Sequence, residues 1–184
     1  ASVVVLSFNA AEHIQKCVEH LRRQDHGDYE VVVIDNASTD DSFRRIEAAS
    51  AGDPRVRVIR SEWNRGCAGG RNLGVAESRG EIVAFVDADA FAEPTWLPNV
   101  LRVFDDPGVG IAASLQILAR NRFLLNGLGG TLNLQGYFIS ESGNFRYEMI
   151  RCGNGQLSYR GFKCPKHHHQ VQDTRLNFFV ICDG

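Results

Sequence analysis

Two carboxylates, Asp87 and Asp89, follow directly after an apolar run over residues 82–86. Such a run between polar residues is typical of a buried strand, and ligands collect at the carboxyl ends of strands in open α/β sheets. Two acids separated by one small residue can offer oxygens to Mg²⁺ or Mn²⁺ and leave positions open for a phosphate. The alternative is a solvated turn, in which an aspartate caps a helix that begins near Pro94.

The elements that position these carboxylates alternate between strand and helix. The patterns predict strands over residues 2–8, 29–34, 56–60 and 82–86, and helices over residues 11–24, 38–50 and 95–105. The glycine-rich residues 64–74 open a further short helix that ends near residue 79. This alternation predicts an α/β fold, a mostly parallel sheet with helices on both faces. Ser38 is the expected cap of the second helix, with Asp41 three residues on. The later stretches with strand character are residues 109–118, 132–140 and 176–182.

Other residues near the predicted strand ends could also contact a ligand, and each has a structural alternative. Asp35 can accept a hydrogen bond from a base edge or cap the next helix. Phe8 can stack on a flat base or belong to the core. Arg71 follows a glycine pair and can face a phosphate or lie on a solvated helix face. Because parallel strands end at one edge of the sheet, we expect Phe8, Asp35 and Asp87 at a common crevice.

The bulk composition is that of a globular protein of one domain. The 184 residues are 43% hydrophobic and 23% charged, and 20 basic against 22 acidic side chains leave a net charge of −2. Without a broad basic field, we expect no nucleic-acid partner. The five scattered cysteines indicate reduced thiols and a cytoplasmic location. A zinc site near Cys164 and His167–His169 is not expected, since three adjacent histidines cannot all face one ion.

The order of the motifs is more specific than any one of them. It runs Ser7-Phe8-Asn9, then residues 33–40, then the glycine-rich residues 64–74, then Val86-Asp87-Ala88-Asp89 with Pro94-x-Trp96-Leu97. This series resembles the family 2 glycosyltransferases of the GT-A fold, the Rossmann-like fold of nucleotide-diphospho-sugar transferases, over about residues 2–105. Within that family, residues 64–70 most resemble the branch of bacterial rhamnosyl and related cell-surface sugar transferases.

The resemblance implies a role for each matching residue. Asp35 would contact the base, Phe8 stands where many members carry tyrosine, and Arg71 would lie near the base and the diphosphate. Asp87-Ala88-Asp89 matches the Asp-x-Asp motif, in which Asp89 would ligate Mg²⁺ or Mn²⁺. Asp87 would belong to the same metal site and face the ribose or a water bound to the metal. The full set of nucleotide-binding residues implied in this way is Ser7, Phe8, Asn9, Asp35, Asn64, Gly66, Arg71 and Asp87.

The implied reaction is a metal-dependent, inverting transfer of a sugar from a nucleotide diphosphate of the UDP, dTDP or GDP type. The acceptor would be a hydroxyl of a cell-surface glycan or a lipid-linked molecule. The protein would therefore be cytoplasmic and attach peripherally to the inner face of the membrane. Inversion needs a general base, and the acidic segment in which the family usually carries it is absent. Asp183 is the candidate base. The alternative is a truncated or degenerate relative that binds nucleotide sugar without efficient transfer.

We expect a single glycosyltransferase domain over residues 1–184. Residues 1–118 would form the nucleotide-sugar-binding half, and residues 119–184 a truncated acceptor-side portion. The absence of a starting methionine predicts one of two things: either a few amino-terminal residues were removed, or the chain is a piece of something longer. A nucleotidyltransferase, the remaining rival class, usually has a basic glycine-rich loop after its first strand, and residues 9–12 do not match one.

Overall fold

The chain divides into two compact units, residues 1–98 and 99–184. The computed structural model describes residues 1–112, 114–119, 121–127, 130–132, 138–140, 147–151, 157–161 and 179–182. Within these ranges, no helix is both long enough and apolar enough to cross a bilayer. The assignment of residues 1–118 to the donor and 119–184 to the acceptor stays a prediction.

The first unit is built on a four-stranded parallel sheet. β1 (Ser2–Ser7), β2 (Glu30–Asp35), β3 (Val56–Arg60) and β4 (Val83–Asp87) stand in the order β3-β2-β1-β4. The parallel α/β sheet is confirmed, and each strand begins and ends within one residue of its predicted bounds. The transition from apolar to polar residues marks these ends clearly, because a buried strand cannot continue into charged side chains without partners.

Helices cover both faces of this sheet. They are α1 (Ile14–Leu21), α2 (Ser42–Ser50) and α3 (Gly66–Glu77). Leu73 of α3 packs with Val4, Val32 and Ile34, so α3 covers the even-numbered face of β1 and β2. The odd-numbered residues at positions 3, 5, 31 and 33 are fully buried on the opposite face, on the side of the paired helices α1 and α2. After β4, the buried strand β5 (Ala90–Ala92) contacts α1, and α4 (Trp96–Val103) follows.

The loops after β1 and β2 bind each other, and this changes where two helices begin. The backbone N–H of Asn9 donates to Ser38 Oγ at 3.0 Å, and that of Ala10 donates to Ser42 Oγ at 2.8 Å. Asn9 Oδ1 in turn accepts from the N–H of Thr39 at 2.8 Å. The prediction that Ser38 caps α2 is therefore wrong, because its hydroxyl serves the neighbouring loop. α1 begins at Ile14 rather than near residue 11.

The strands described in the second unit differ from the prediction. They are β6 (Leu115–Leu118), β7 (Asn121–Gly127), β8 (Gly130–Leu132), β9 (Phe138–Ser140), β10 (Tyr147–Arg151), β11 (Leu157–Gly161) and β12 (Phe179–Cys182). β6 pairs parallel with β12 and antiparallel with β7, whereas β8–β9 and β10–β11 are antiparallel pairs. A single strand over residues 132–140 is wrong, because Leu132 and Phe138 face each other across an antiparallel pair. The strand predicted over residues 109–118 begins only at Leu115. Val109 instead ends a turn, in which its N–H donates to the carbonyl oxygen of Asp106.

Two glycines allow α3 to lie close against β1. A Cβ built at Gly74 would overlap Val4 Cγ1, and one at Gly70 would overlap Leu6 Cδ1. We expect Gly74→Ala to lower the free energy of unfolding by about 1–3 kcal/mol through overpacking, although alanine favours a helix by about 1 kcal/mol. Urea unfolding measures this loss. Gly27→Ala is the control, because its Cβ would meet nothing within 4 Å, and unchanged stability of Gly74→Ala would contradict the close packing.

Candidate functional site

The carboxyl end of the first sheet contains a buried carboxylate without a hydrogen-bond partner. Asp35 is the last residue of β2 and is 0% exposed, and neither of its carboxylate oxygens accepts a hydrogen bond from the described chain. Ser7, its register partner at the end of β1, is equally buried and its Oγ also has no partner. A buried carboxylate that accepts no hydrogen bond is costly, on the order of a few kcal/mol. A ligand that supplies donors would offset that cost.

Arg60 lies on the other side of Asp35. It is the last residue of β3 and the register partner of Asp35. Its Nε is 3.4 Å from Asp35 Oδ2, an ion pair without the alignment of a hydrogen bond. The side chain is 54% exposed, and its Cζ lies 4.4 Å from the ring centroid of Phe43 in α2. Arg60 was not among the residues predicted from the sequence, although it ends its strand as clearly as Asp35 ends β2.

The two acids that follow β4 are placed differently. Asp87 pairs with Leu6 in register, so its side chain leaves the sheet on the α3 face, whereas Asp35 leaves on the opposite face. Arg71 Nη2 of α3 donates to Asp87 Oδ1 at 2.7 Å, and Arg71 also contacts the exposed Cys67. Asp89 lies in the turn between β4 and β5, and its carboxylate has no hydrogen bond or ion pair within the described ranges. A ligand that spans the sheet edge would therefore meet acids from both faces.

The loop that begins α3 is held by two asparagines. Asn64 Oδ1 accepts from the N–H of Gly66 at 2.8 Å and from Asn36 Nδ2 at 2.9 Å. Asn36 Oδ1 accepts from the N–H of Arg65 at 2.9 Å. Gly66 has φ +69°, a conformation that glycine adopts without the cost that a Cβ would bring. Asn64 and Gly66 thus shape the loop, and a contact of either with a nucleotide stays a prediction.

The remaining predicted residues are distributed around the same edge. Phe8 is 46% exposed, as a base-stacking ring needs to be, and it is not part of the core. Asn9 has φ +49°, and its side-chain oxygen accepts a hydrogen bond from the N–H of Thr39. Asn9 therefore helps to hold the loop in shape. Asp183, Cys164 and His167–His169 lie outside the described residues. Among the residues that are described, no three His, Cys, Asp or Glu side chains cluster closely enough to hold a metal ion.

The parallel sheet, the covering helices and the acids at one edge define an α/β protein whose candidate ligand site lies at the carboxyl ends of its strands. The chain belongs to glycosyl transferase family 2, whose family model matches residues 2–164. This confirms the family that the ordered motifs resemble.

Curated relatives match part of the chain. The glycosyltransferase GlyG of Streptococcus pneumoniae is 36% identical over 88 residues, which are 48% of this chain and 29% of that protein. The succinoglycan biosynthesis protein ExoO of Rhizobium meliloti is 36% identical over 109 residues, 59% of this chain and 31% of that protein. The matched part of the chain thus spans about a third of the length of these relatives.

Solved structures confirm the GT-A fold. TarS residues 1–349 of S. aureus, in complex with UDP-GlcNAc, has a TM-score of 0.53 and 27% identity over 64% of this chain and 33% of that one. The mannosyltransferase PcManGT of Pyrobaculum calidifontis, in complex with GDP-Man and Mn²⁺, has a TM-score of 0.54 and 28% identity over 64% of this chain and 34% of that one. Both proteins are GT-A glycosyltransferases.

Proposed function

We propose that this chain binds a nucleotide diphosphate sugar at the carboxyl edge of its first sheet and transfers the sugar to a hydroxyl of a cell-surface glycan or lipid-linked acceptor. The observation that carries the proposal is the buried Asp35 carboxylate, whose two oxygens accept no hydrogen bond from the described chain. A carboxylate accepts and never donates, so its natural ligand group is an N–H, such as a nucleobase offers. The exposed Phe8 ring lies just after Ser7 and would stack on that base.

The diphosphate would lie toward Arg71, Asp87 and Asp89. The Arg71 guanidinium can donate to phosphate oxygens, and the two carboxylates suit a hard divalent cation. Two protein carboxylates with phosphate oxygens as the other ligands form the usual kind of Mg²⁺ site, so the donor set fits Mg²⁺ or Mn²⁺. Such an ion, when bound, neutralises charge that develops on the departing diphosphate. The Mn²⁺ complex of the mannosyltransferase PcManGT supports this assignment.

The transfer would proceed by direct displacement with inversion. The acceptor oxygen forms a bond to the anomeric carbon while the bond from that carbon to the phosphate oxygen breaks, and the nucleoside diphosphate leaves with the electron pair. The proton of the acceptor hydroxyl passes to a carboxylate base. Asp183 is our candidate for that base.

Calorimetric titration of the 184-residue chain with UDP, dTDP and GDP, each with and without Mn²⁺, tests the proposal. We expect at least one of the three to bind, and to bind about tenfold or more tightly with Mn²⁺. ADP is the matched control, because adenine presents a ring acceptor beside its amino group and would place lone pairs against Asp35. No binding of UDP, dTDP or GDP would contradict the proposal, as would ADP binding as tightly as they do. Release of nucleoside diphosphate from a sugar-linked donor then measures turnover.

A further inference from the structure

Three side chains form a row across the ends of three adjacent strands. In the parallel register, Ser7 of β1 pairs with Asp35 of β2, and Asp35 pairs with Arg60 of β3. Register partners on neighbouring parallel strands leave the same face of the sheet, about 4.8 Å apart from strand to strand. The row Ser7–Asp35–Arg60 is therefore a line of polar groups on one face, with the buried carboxylate in its centre.

The three members of the row offer complementary hydrogen-bonding chemistry. A serine hydroxyl can donate, an ionised carboxylate only accepts, and a guanidinium only donates. Ser7 Oγ and both Asp35 oxygens are buried and have no hydrogen-bond partner among the described residues. Arg60 approaches Asp35 Oδ2 at 3.4 Å without a hydrogen bond. Read across the strands, the row presents a donor, an acceptor and a donor.

A flat group that matches this row must present an acceptor, a donor and an acceptor. The imide edge of uracil and thymine does so, since its central N–H stands between the carbonyl oxygens O2 and O4. The corresponding edge of guanine carries the O6 acceptor, an N–H and the N2 amino donor. Guanine would thus set a donor against one of the two outer donors of the row. Cytosine and adenine would set a ring acceptor against the Asp35 carboxylate.

We propose that Ser7, Asp35 and Arg60 together read the imide edge of the base, so that the donor is a uridine or thymidine diphosphate sugar, with Arg60 as the specificity-determining residue. This inference rests on the proposed function, because it assigns the base of the same nucleotide. Arg60 is suited to the role, since its side chain is 54% exposed and rests on the ring of Phe43. Its guanidinium can shift from Asp35 to a base carbonyl without losing that contact.

Competition among nucleoside diphosphates tests the assignment. UDP, dTDP and GDP are titrated into the wild-type chain and into Arg60→Met, which keeps an unbranched side chain against Phe43 but loses the donors. We expect the wild-type chain to bind UDP and dTDP about tenfold or more tightly than GDP. We expect Arg60→Met to bind UDP about tenfold more weakly than the wild-type chain does, so that the ratio of its UDP and GDP affinities falls toward one. Arg45→Met is the matched control, because Arg45 is also a half-exposed arginine and, among the described residues, its ion-pair partner is the half-exposed Asp41.

The outcomes separate this inference from the proposed function. Tight GDP binding, or equal affinity for GDP and UDP, would overturn the imide assignment and leave a nucleotide-sugar site. If Arg60→Met lowers the affinity for all three nucleotides by the same factor, Arg60 does not determine specificity. If none of the three binds the wild-type chain, the proposed function fails and the inference fails with it. Arg60→Lys is the second variant, and we expect it to retain folding and net charge with an intermediate preference for UDP.

Discussion

Asp35→Asn will weaken binding of the preferred nucleoside diphosphate by about 30- to 100-fold and will leave the free energy of unfolding equal or higher. Asparagine keeps the shape of the side chain but removes the charge that makes the central acceptor of the row strong. The loss corresponds to about 2–3 kcal/mol, the value of a hydrogen bond to a charged group. Stability does not fall, because neither Asp35 oxygen is hydrogen-bonded and its one ion-pair partner, Arg60, is 54% exposed. Calorimetry and urea unfolding of the same preparation measure the two effects.

Asp53→Asn is the matched control with the opposite expected result. The Asp53 side chain is only 8% exposed, but it accepts hydrogen bonds from Arg55 and from Arg22 Nε at 3.2 Å. The hydrogen bonds from Arg55 hold the pKa of Asp53 below its usual range. We expect this variant to lose about 1–3 kcal/mol of stability and to bind nucleotide normally. Normal nucleotide affinity in Asp35→Asn would refute the assignment of that carboxylate to the base.

Asp89→Ala will remove the Mn²⁺-dependent part of the affinity for the nucleoside diphosphate and leave the affinity for the free nucleoside unchanged. The Asp89 carboxylate follows β4. It accepts no hydrogen bond and forms no ion pair with the described residues, so it is available to a cation. We expect at least a tenfold weaker diphosphate complex in Mn²⁺, and a fall in transfer rate on the order of 10²–10³. Asp35→Asn, in contrast, weakens nucleoside and diphosphate alike, because it acts on the base.

Titration of uridine and of the diphosphate, each with and without Mn²⁺, separates the two ends of the site. Asp28→Ala provides the control for loss of one acidic charge, since Asp28 is exposed and precedes β2 at the opposite edge of the sheet. If Asp89→Ala responds to Mn²⁺ as the wild-type chain does, the cation is held elsewhere and the motif has been misassigned. An equal loss for nucleoside and diphosphate would indicate damage to the fold rather than removal of a metal ligand.

The amino-acid sequence by itself determined the four strands of the first sheet and the family. Each of the four strands could be placed within one residue, because a run such as Val31–Ile34 is apolar throughout and ends at a charged residue. Burial and the change to polar side chains are local properties that a sequence records directly. The order of motifs around Asp35, Asp87 and Asp89 was likewise local, and it was enough to identify the family.

Only the tertiary structure decided which of these residues meet, and whether their polar atoms are satisfied. Strand order β3-β2-β1-β4 puts Arg60 beside Asp35, although the two residues are far apart in the sequence. The same packing places the Ser38 hydroxyl where it accepts a hydrogen bond from the backbone N–H of Asn9, so it does not cap α2. Register and loop-to-loop hydrogen bonds depend on groups that distant segments bring together, and the period of one segment carries no information about its neighbours. For that physical reason the sequence could identify Asp35 as a candidate. Only the fold revealed that its oxygens accept no hydrogen bond and that Ser7 and Arg60 lie on either side of it.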